Sequence, residues 1–213
     1  MGTIADKDRE QLVTFFQSLA NPVKIILFTQ EFECQFCKMA RELLEEVSGI
    51  SGKISLEIYD FVRDKDRTDQ YGIDKIPATV ILGDRDYGIR FFGVPGGYEF
   101  TALVQDILAV GNRDPGLPQD VMHDLAKVYK PVHIQVMISP ACPYCANAVH
   151  TAHRFAMAAD AIRADMVETT EFPYLATKYN VHGVPHIVVN ETYSFVGSKP
   201  EKEFLQEILK ALQ

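Results

Sequence analysis

At 213 residues and 47% hydrophobic content, the chain has room for one large domain or two small ones and enough apolar residues for ordinary cores. A formal net charge of −8 argues against binding nucleic acid or an anionic membrane through general electrostatics. Met1 to Glu10 carry no apolar signal-peptide core, and no later run approaches membrane-spanning length, so the expected location is the cytoplasm. The four cysteines form two C-x-x-C pairs, Cys34/Cys37 and Cys142/Cys145. In a reducing compartment, close pairs of this kind read as catalytic or metal-binding centres rather than structural staples.

Apolar periodicity predicts an amphipathic helix from about Asp6 to Ala20, with Leu12, Phe15, Phe16 and Leu19 on one face and a stop near Asn21-Pro22. Val23–Phe28 is a nearly continuous apolar run, the pattern of a strand buried on both faces, and it delivers the chain to the first cysteine pair. Beyond Cys34 a helix carries Met39, Leu43, Leu44 and Val47 at helical spacing and stops at Ser48-Gly49. Ile54–Tyr59 alternates as a strand, and Arg63–Gln70 reads as a short helix. Ile76-Pro77 then leads into a hairpin of Ala78–Leu82 and Tyr87–Phe92. Gly96-Gly97 opens a further helix with a predicted stripe of Phe100, Leu103, Val104, Ile107 and Leu108.

Turn and breaker residues over Gly111–Pro118 mark a boundary, which gives units 1–113 and 114–213. The pattern then restarts. A helix marked by Val121, Leu125 and Val128 precedes a strand Val132–Ile138, a long helix from Cys142 to about Ala159, a strand Ile162–Val167 and a helix Phe172–Tyr179. Val184-Pro185 leads into strands at Ile187–Val189 and Tyr193–Val196, and in the closing helix Ser198 and Glu201 have the spacing of a capping box. Cys142 follows Cys34 by 108 residues, and Pro185 follows Pro77 by the same 108. A cysteine pair, an apolar-Pro step and an order of elements recurring in register amount to an internal duplication.

Each pair lies between a strand and a helix, so the first cysteine is expected at a helix N-terminus, where unpaired N–H groups favour a thiolate. The second cysteine, one turn deeper, is placed to attack a mixed disulfide formed by the first. Glu33 adjoins Cys34 and disfavours its thiolate, while Lys38 favours it. The neighbours of Cys142 are uncharged, and His182 and His186 flank Pro185. Cys142 is therefore expected to be the more reactive nucleophile.

The order strand, C-x-x-C helix, strand, helix, apolar-Pro, hairpin, helix resembles the thioredoxin/glutaredoxin fold, twice over. Over nearly its full length the chain is similar to the two-unit protein disulfide oxidoreductases of thermophilic bacteria and archaea. The matching pieces are Cys34-Gln35-Phe36-Cys37, Ile76-Pro77-Ala78-Thr79, the run Tyr87–Phe100, Cys142-Pro143-Tyr144-Cys145 and Val184-Pro185. The resemblance implies an α/β fold in tandem, a mixed four-stranded sheet flanked by helices in each unit. It implies dithiol–disulfide exchange on protein substrates through Cys34, Cys37, Cys142 and Cys145, with no cofactor beyond these redox-active disulfides and a flavoprotein, thioredoxin-type reductase as electron donor. Pro77 and Pro185 are implied to be cis, a geometry open to X-Pro bonds. Such a proline would leave the backbone of Ile76 or Val184 to pair with an extended substrate, and Tyr144 would border the substrate groove. Thioredoxins carry a buried aspartate six residues before the first cysteine; here those positions are Phe28 and Val136, which leaves the proton acceptor unassigned. Gly96-Gly97 resembles the glutaredoxin glycine pair, but Tyr98 stands where an acidic residue is expected, which argues against glutathione.

Three other readings compete. Four thiolates could share a zinc ion, although 104 residues separate the pairs where zinc knuckles use about 15–20. Cys142 and Cys145 could instead join His150 and His153, which share a helix face. A substrate-binding holdase, or an electron relay to a peroxidase, would use the same surfaces. The relay resembles the duplicated N-terminal region of the flavoprotein that serves alkyl hydroperoxide reductase, a region that typically keeps only its second cysteine pair.

Overall fold

The duplication read in the sequence folds as two four-stranded sets joined edge to edge in a computed structural model describing residues 4–212. The first half contains α1 (Asp6–Gln17), β1 (Val23–Thr29), α2 (Cys37–Ser48), β2 (Ile54–Asp60), α3 (Lys65–Gln70), β3 (Ala78–Leu82), β4 (Asp86–Phe92) and α4 (Glu99–Asn112). The second contains α5 (Gln119–Leu125), β5 (Val132–Ile138), α6 (Cys145–Ala158), β6 (Ile162–Glu168), α7 (Pro173–Lys178), β7 (His186–Val189), β8 (Tyr193–Val196) and α8 (Glu201–Lys210). The strand order is β2-β1-β3-β4-β6-β5-β7-β8, one continuous sheet. The two mixed four-stranded sheets meet at a parallel pairing of β4 with β6, from Ile89 opposite Ala164 to Phe92 opposite Val167. Each set thereby covers what would be an open edge of the other.

Side chains alternate across the strands, so the two faces separate cleanly. Ile25 and Leu27 of β1, Phe91 of β4, and Ile134 and Val136 of β5 pack under α1, α2, α4, α5, α6 and α8. Ile26, Phe28, Val80, Met137 and Val167 pack on the opposite face, which the short helices α3 and α7 cover. Strand β1 is antiparallel to β3, and β3 to β4; β4, β6 and β5 then run parallel. Two reversals cancel. The C-terminal ends of β1 and β5 therefore reach the same edge of the sheet, with α2 and α6 on the same face.

The helices α4 and α6 cross over the seam, where Asp106 is buried between two imidazoles. His150 Nδ1 lies 2.7 Å from Asp106 Oδ1 and His153 Nδ1 lies 2.5 Å from Oδ2. The edge of the His153 ring also meets the Phe91 ring, 4.8 Å between centroids. These histidines are tied to a carboxylate of the other half, so the reading that groups them with Cys142 and Cys145 around a metal is corrected.

Several sequence expectations shift at element margins. Phe15 and Met39 are half exposed, because the buried lines are Leu12, Phe16 and Leu19 in one case and Ala40, Leu43, Leu44 and Val47 in the other. Each displaced residue sits one position off the stripe. Phe100 and Leu108 are only partly buried. The capping box does not form: Pro200 takes the N-cap, Ser198 Oγ accepts from Asn147 Nδ2 at 2.8 Å, and Glu201 pairs with Arg154 at 2.9 Å.

Burial pushes the Asp106 carboxyl up, but the charges and hydrogen bonds of His153 and His150 outweigh it and hold the group below the usual carboxylate range. A depressed folded-state value means stability that is present above the unfolded pKa and lost as pH falls. Asp106→Ala is expected to cost about 3–5 kcal/mol at neutral pH, read from urea midpoints, because it strands the buried His153 imidazole and the partly buried His150. The advantage of wild type over Asp106→Asn should shrink below about pH 4; an advantage that grows there would contradict the assignment.

Two dithiol sites on one edge of the sheet

Strand β1 ends at Thr29, and the loop turns at Glu33, whose φ of 59° is uncommon for a residue with a side chain. Cys34 follows, partly exposed, and Cys37 is the buried first residue of α2. The two are joined in a disulfide with Cα atoms 5.5 Å apart. A cleft of about 250 Å³ opens beside the sulfurs, lined in part by Glu31, Lys38 and Arg41. Lys38 Nζ lies 3.7 Å from a Glu42 oxygen, so its charge is shared with that carboxylate. Sequence reasoning did not single out Arg41. It lies seven residues from Cys34, and only the helix turn brings it to the cleft.

At the second site Ser139 O accepts from Cys142 N at 2.9 Å, and Cys142 O accepts from Cys145 N at 3.4 Å, which winds the chain into α6. Cys145 is fully buried and Cys142 nearly so. Their disulfide also spans 5.5 Å between Cα atoms. Cys142 Sγ is 3.7 Å from the carbonyl oxygen of Val184. Tyr144 is exposed at the tip of the motif. In both halves the helix begins at the second cysteine, not the first, so Cys34 and Cys142 stand one turn ahead of the helix rather than within it.

Among the described residues, Ile76-Pro77 and Val184-Pro185 are the two cis peptides. Each proline carbonyl is held by a glycine: Gly93 N donates to Pro77 O at 2.9 Å and Gly197 N to Pro185 O at 2.8 Å. The prolines are buried, while Ile76 and Val184 remain partly exposed. His186 is buried without a hydrogen-bond partner among the described residues. Burial, with a smaller push from His182, holds its pKa below the ordinary histidine value, so the ring is neutral near pH 7 and offers no positive charge to a thiolate.

Three carboxyl groups that carried no signal in the sequence gather at the seam, near the end of the strand that leads to the second site. Glu168 ends β6 opposite Ile138, the residue that leads into the Cys142 loop. Its oxygens accept from Thr170 N, Thr170 Oγ1 and Glu171 N at 3.0, 2.6 and 2.8 Å. Glu171 accepts from Val94 N at 2.8 Å, which ties this loop to the other half. Gly93 must be glycine here: its φ is 101°, and a Cβ would stand 2.7 Å from Glu168 Cβ. Glu99 is 1% exposed, and its Oε1 has no hydrogen-bond partner among the described residues. Burial, reinforced by the charge of Glu168, pushes both Glu99 and Glu171 up to about 7. A carboxylate becomes unusual here because the seam buries it, and no local pattern announces a seam.

The positions of the strands weigh against a zinc ion shared by all four sulfurs. The strands leading to the two pairs are separated by four interstrand steps, about 19 Å at roughly 4.8 Å each. Among the described residues no group of three or more His, Cys, Asp or Glu is placed to hold a metal ion. Among them, too, no helix is long and apolar enough to cross a membrane.

The thioredoxin domain family matches residues 132–210. The crystal structure of a protein disulfide oxidoreductase from Aeropyrum pernix is 30% identical to the chain, superimposes with a TM-score of 0.90, and covers 97% of this chain and 93% of its own. A structure of the alkylhydroperoxide reductase component AhpF from Enterococcus faecalis gives a TM-score of 0.90 at 26% identity, over 96% of this chain and 99% of that one. A Bacillus subtilis protein named NADH dehydrogenase is 26% identical over 182 residues, 85% of this chain and 33% of its own length. The chain thus spans about a third of the curated relatives it matches. Two C-x-x-C disulfides, two cis prolines and a likeness that runs through both halves place the chain in the thioredoxin-like family, as a two-unit thioredoxin-fold thiol–disulfide oxidoreductase.

Proposed function

We propose that the chain exchanges disulfides with protein clients, through units 1–113 and 114–213, each carrying a working dithiol. The observation that carries this reading is the approach of Cys142 Sγ to the carbonyl of Val184, beside a cis proline. A client strand laid along Val184, or along Ile76 in the first unit, can hydrogen-bond to backbone while its sulfur meets the exposed side of the site. Tyr144 borders that contact. In the reducing direction the Cys142 thiolate attacks a client disulfide, a mixed disulfide forms, and the other client sulfur leaves as a thiolate. Cys145 then loses its proton and attacks the Cys142 sulfur, which releases the client's second thiolate and closes the Cys142–Cys145 bond. Cys34 and Cys37 repeat these steps. Two electrons from a flavoprotein reductase restore the dithiol, and a reducing cytoplasm suits the cycle.

Glu99 is our assignment for the proton acceptor of Cys145. Its unpartnered oxygen, its raised pKa and the contact of its loop with the second site support this: a Cβ on Gly97 would stand 3.2 Å from Pro140 O. Cys142 is proposed to be the stronger nucleophile, since Glu33 adjoins Cys34 and Lys38 is shared with Glu42. An electron relay to a peroxidase is the second reading, supported by the likeness to AhpF across both halves.

Insulin reduction with dithiothreitol should proceed with wild type and cease in Cys34→Ser/Cys142→Ser. Undiminished suppression of insulin aggregation by both proteins, with no turnover by either, would favour a holdase. Iodoacetamide titration of Cys37→Ser and Cys145→Ser should place the Cys142 midpoint at lower pH than that of Cys34; an equal or higher value refutes the ranking. In a Cys34→Ser/Cys37→Ser background, Glu99→Gln should slow release of client from Cys142 by about a hundredfold and remove the rise in rate through neutral pH. Unchanged release and an unchanged profile would exclude Glu99.

A further inference from the structure

Resting on the exchange chemistry proposed above, we infer that a single unfolded client segment engages both dithiols of one molecule at once, along the shared edge of the sheet. Three observations converge on this. First, the β4–β6 pairing fixes the two sites at the same edge, with strands β1 and β5 about 19 Å apart, so their sulfurs cannot exchange directly. Second, the cis-proline start of β3 and the ends of β4 and β6, with the loops that leave them, lie in sequence along the edge between the two sites.

Third, six of the eleven exposed large apolar side chains among the described residues lie there. Phe32, Val62, Tyr98, Tyr144, Tyr174 and Val196 are each at least half exposed, and each sits at the active-edge end of a strand, in the loop that leaves it or, for Tyr174, in the first turn of α7. They run from beyond β2 to the end of β8, seven interstrand steps or about 34 Å, the length of about ten extended residues. Tyr98 comes from the first half but follows the glycine that abuts Pro140 of the second site. Tyr174 comes from the second half; burial, with a smaller push from Asp74 of the first half, raises its pKa. Each half thus contributes an exposed aromatic ring to the stretch between the two sites. Exposed apolar residues continuous with two nucleophiles suit an extended, apolar, cysteine-bearing polypeptide better than a folded domain.

The test uses the full chain carrying Cys37→Ser and Cys145→Ser, so that mixed disulfides persist. The probes are unstructured apolar peptides with two thionitrobenzoate-activated cysteines, either about ten residues apart or adjacent in sequence. Cys34 attacks one activated sulfur to form a mixed disulfide and releases thionitrobenzoate; Cys142 does the same at the other. With the long spacing, the second exchange is intramolecular at an effective concentration of the order of millimolar, so at micromolar protein it should run roughly a hundredfold faster than the first. Non-reducing peptide mapping should then show one peptide bonded to both Cys34 and Cys142 of one molecule. Adjacent cysteines, which cannot span the gap, should give only singly bonded products. Single bonding by the long peptide at both sites, or bridging only between two protein molecules, overturns the inference while leaving the exchange chemistry intact. Failure of both cysteines to react sinks the chemistry, and the inference with it.

Discussion

The parallel pairing of β4 with β6 is the constraint from which the rest follows. Two thioredoxin-like units on a flexible tether could present their sulfurs in any relation. Here four consecutive residue pairs, from Ile89–Ala164 to Phe92–Val167, make one sheet of both halves. With α4 and α6 crossing over the joint and Asp106 holding His150 and His153, the seam has a polar lock as well as a hydrogen-bonded ladder. Its consequence is directional. The sheet's two reversals cancel, so the first cysteines of both pairs emerge on one edge and both site helices lie on one face.

The seam also creates chemistry that neither half would have alone. Glu99 belongs to one half, Glu168 and Glu171 to the other, and burial, reinforced by the charge of Glu168, raises Glu99 and Glu171 to about 7. The thioredoxin aspartate position is apolar here, at Phe28 and Val136. Our proposed proton acceptor for the second unit, Glu99, belongs to the other half instead of to the strand below. The first unit has a different environment, a small cleft lined in part by Glu31, Lys38 and Arg41, so duplication has not produced two equal centres.

How much of this was legible in the sequence depended on whether the signal was local. Val23–Phe28 and Val132–Ile138 are dense in β-branched residues, and the strands lie within a residue of expectation. The recurrence of cysteines and prolines at 108 residues brought out the paired sites. Helix margins were less readable: a residue one place off a stripe, such as Phe15 or Met39, looks apolar in sequence yet stays in solvent. Ser198 had a capping spacing, but Pro200 claimed the position and Asn147 claimed the hydroxyl. The seam had no local signature, since a parallel edge pairing depends on how two distant strands meet. Everything built on it, from the Asp106 lock to the carboxyl cluster, was equally hidden.

The most direct measurement is equilibration of the full chain with dithiothreitol redox buffers, followed by alkylation and mass spectrometry of each cysteine pair. If both pairs are working centres, each converts between dithiol and disulfide within the span of known exchange proteins, about −270 to −120 mV. A pair that stays oxidised below about −300 mV behaves as an inert structural disulfide. That result at either pair would contradict the account of two active dithiols on one edge.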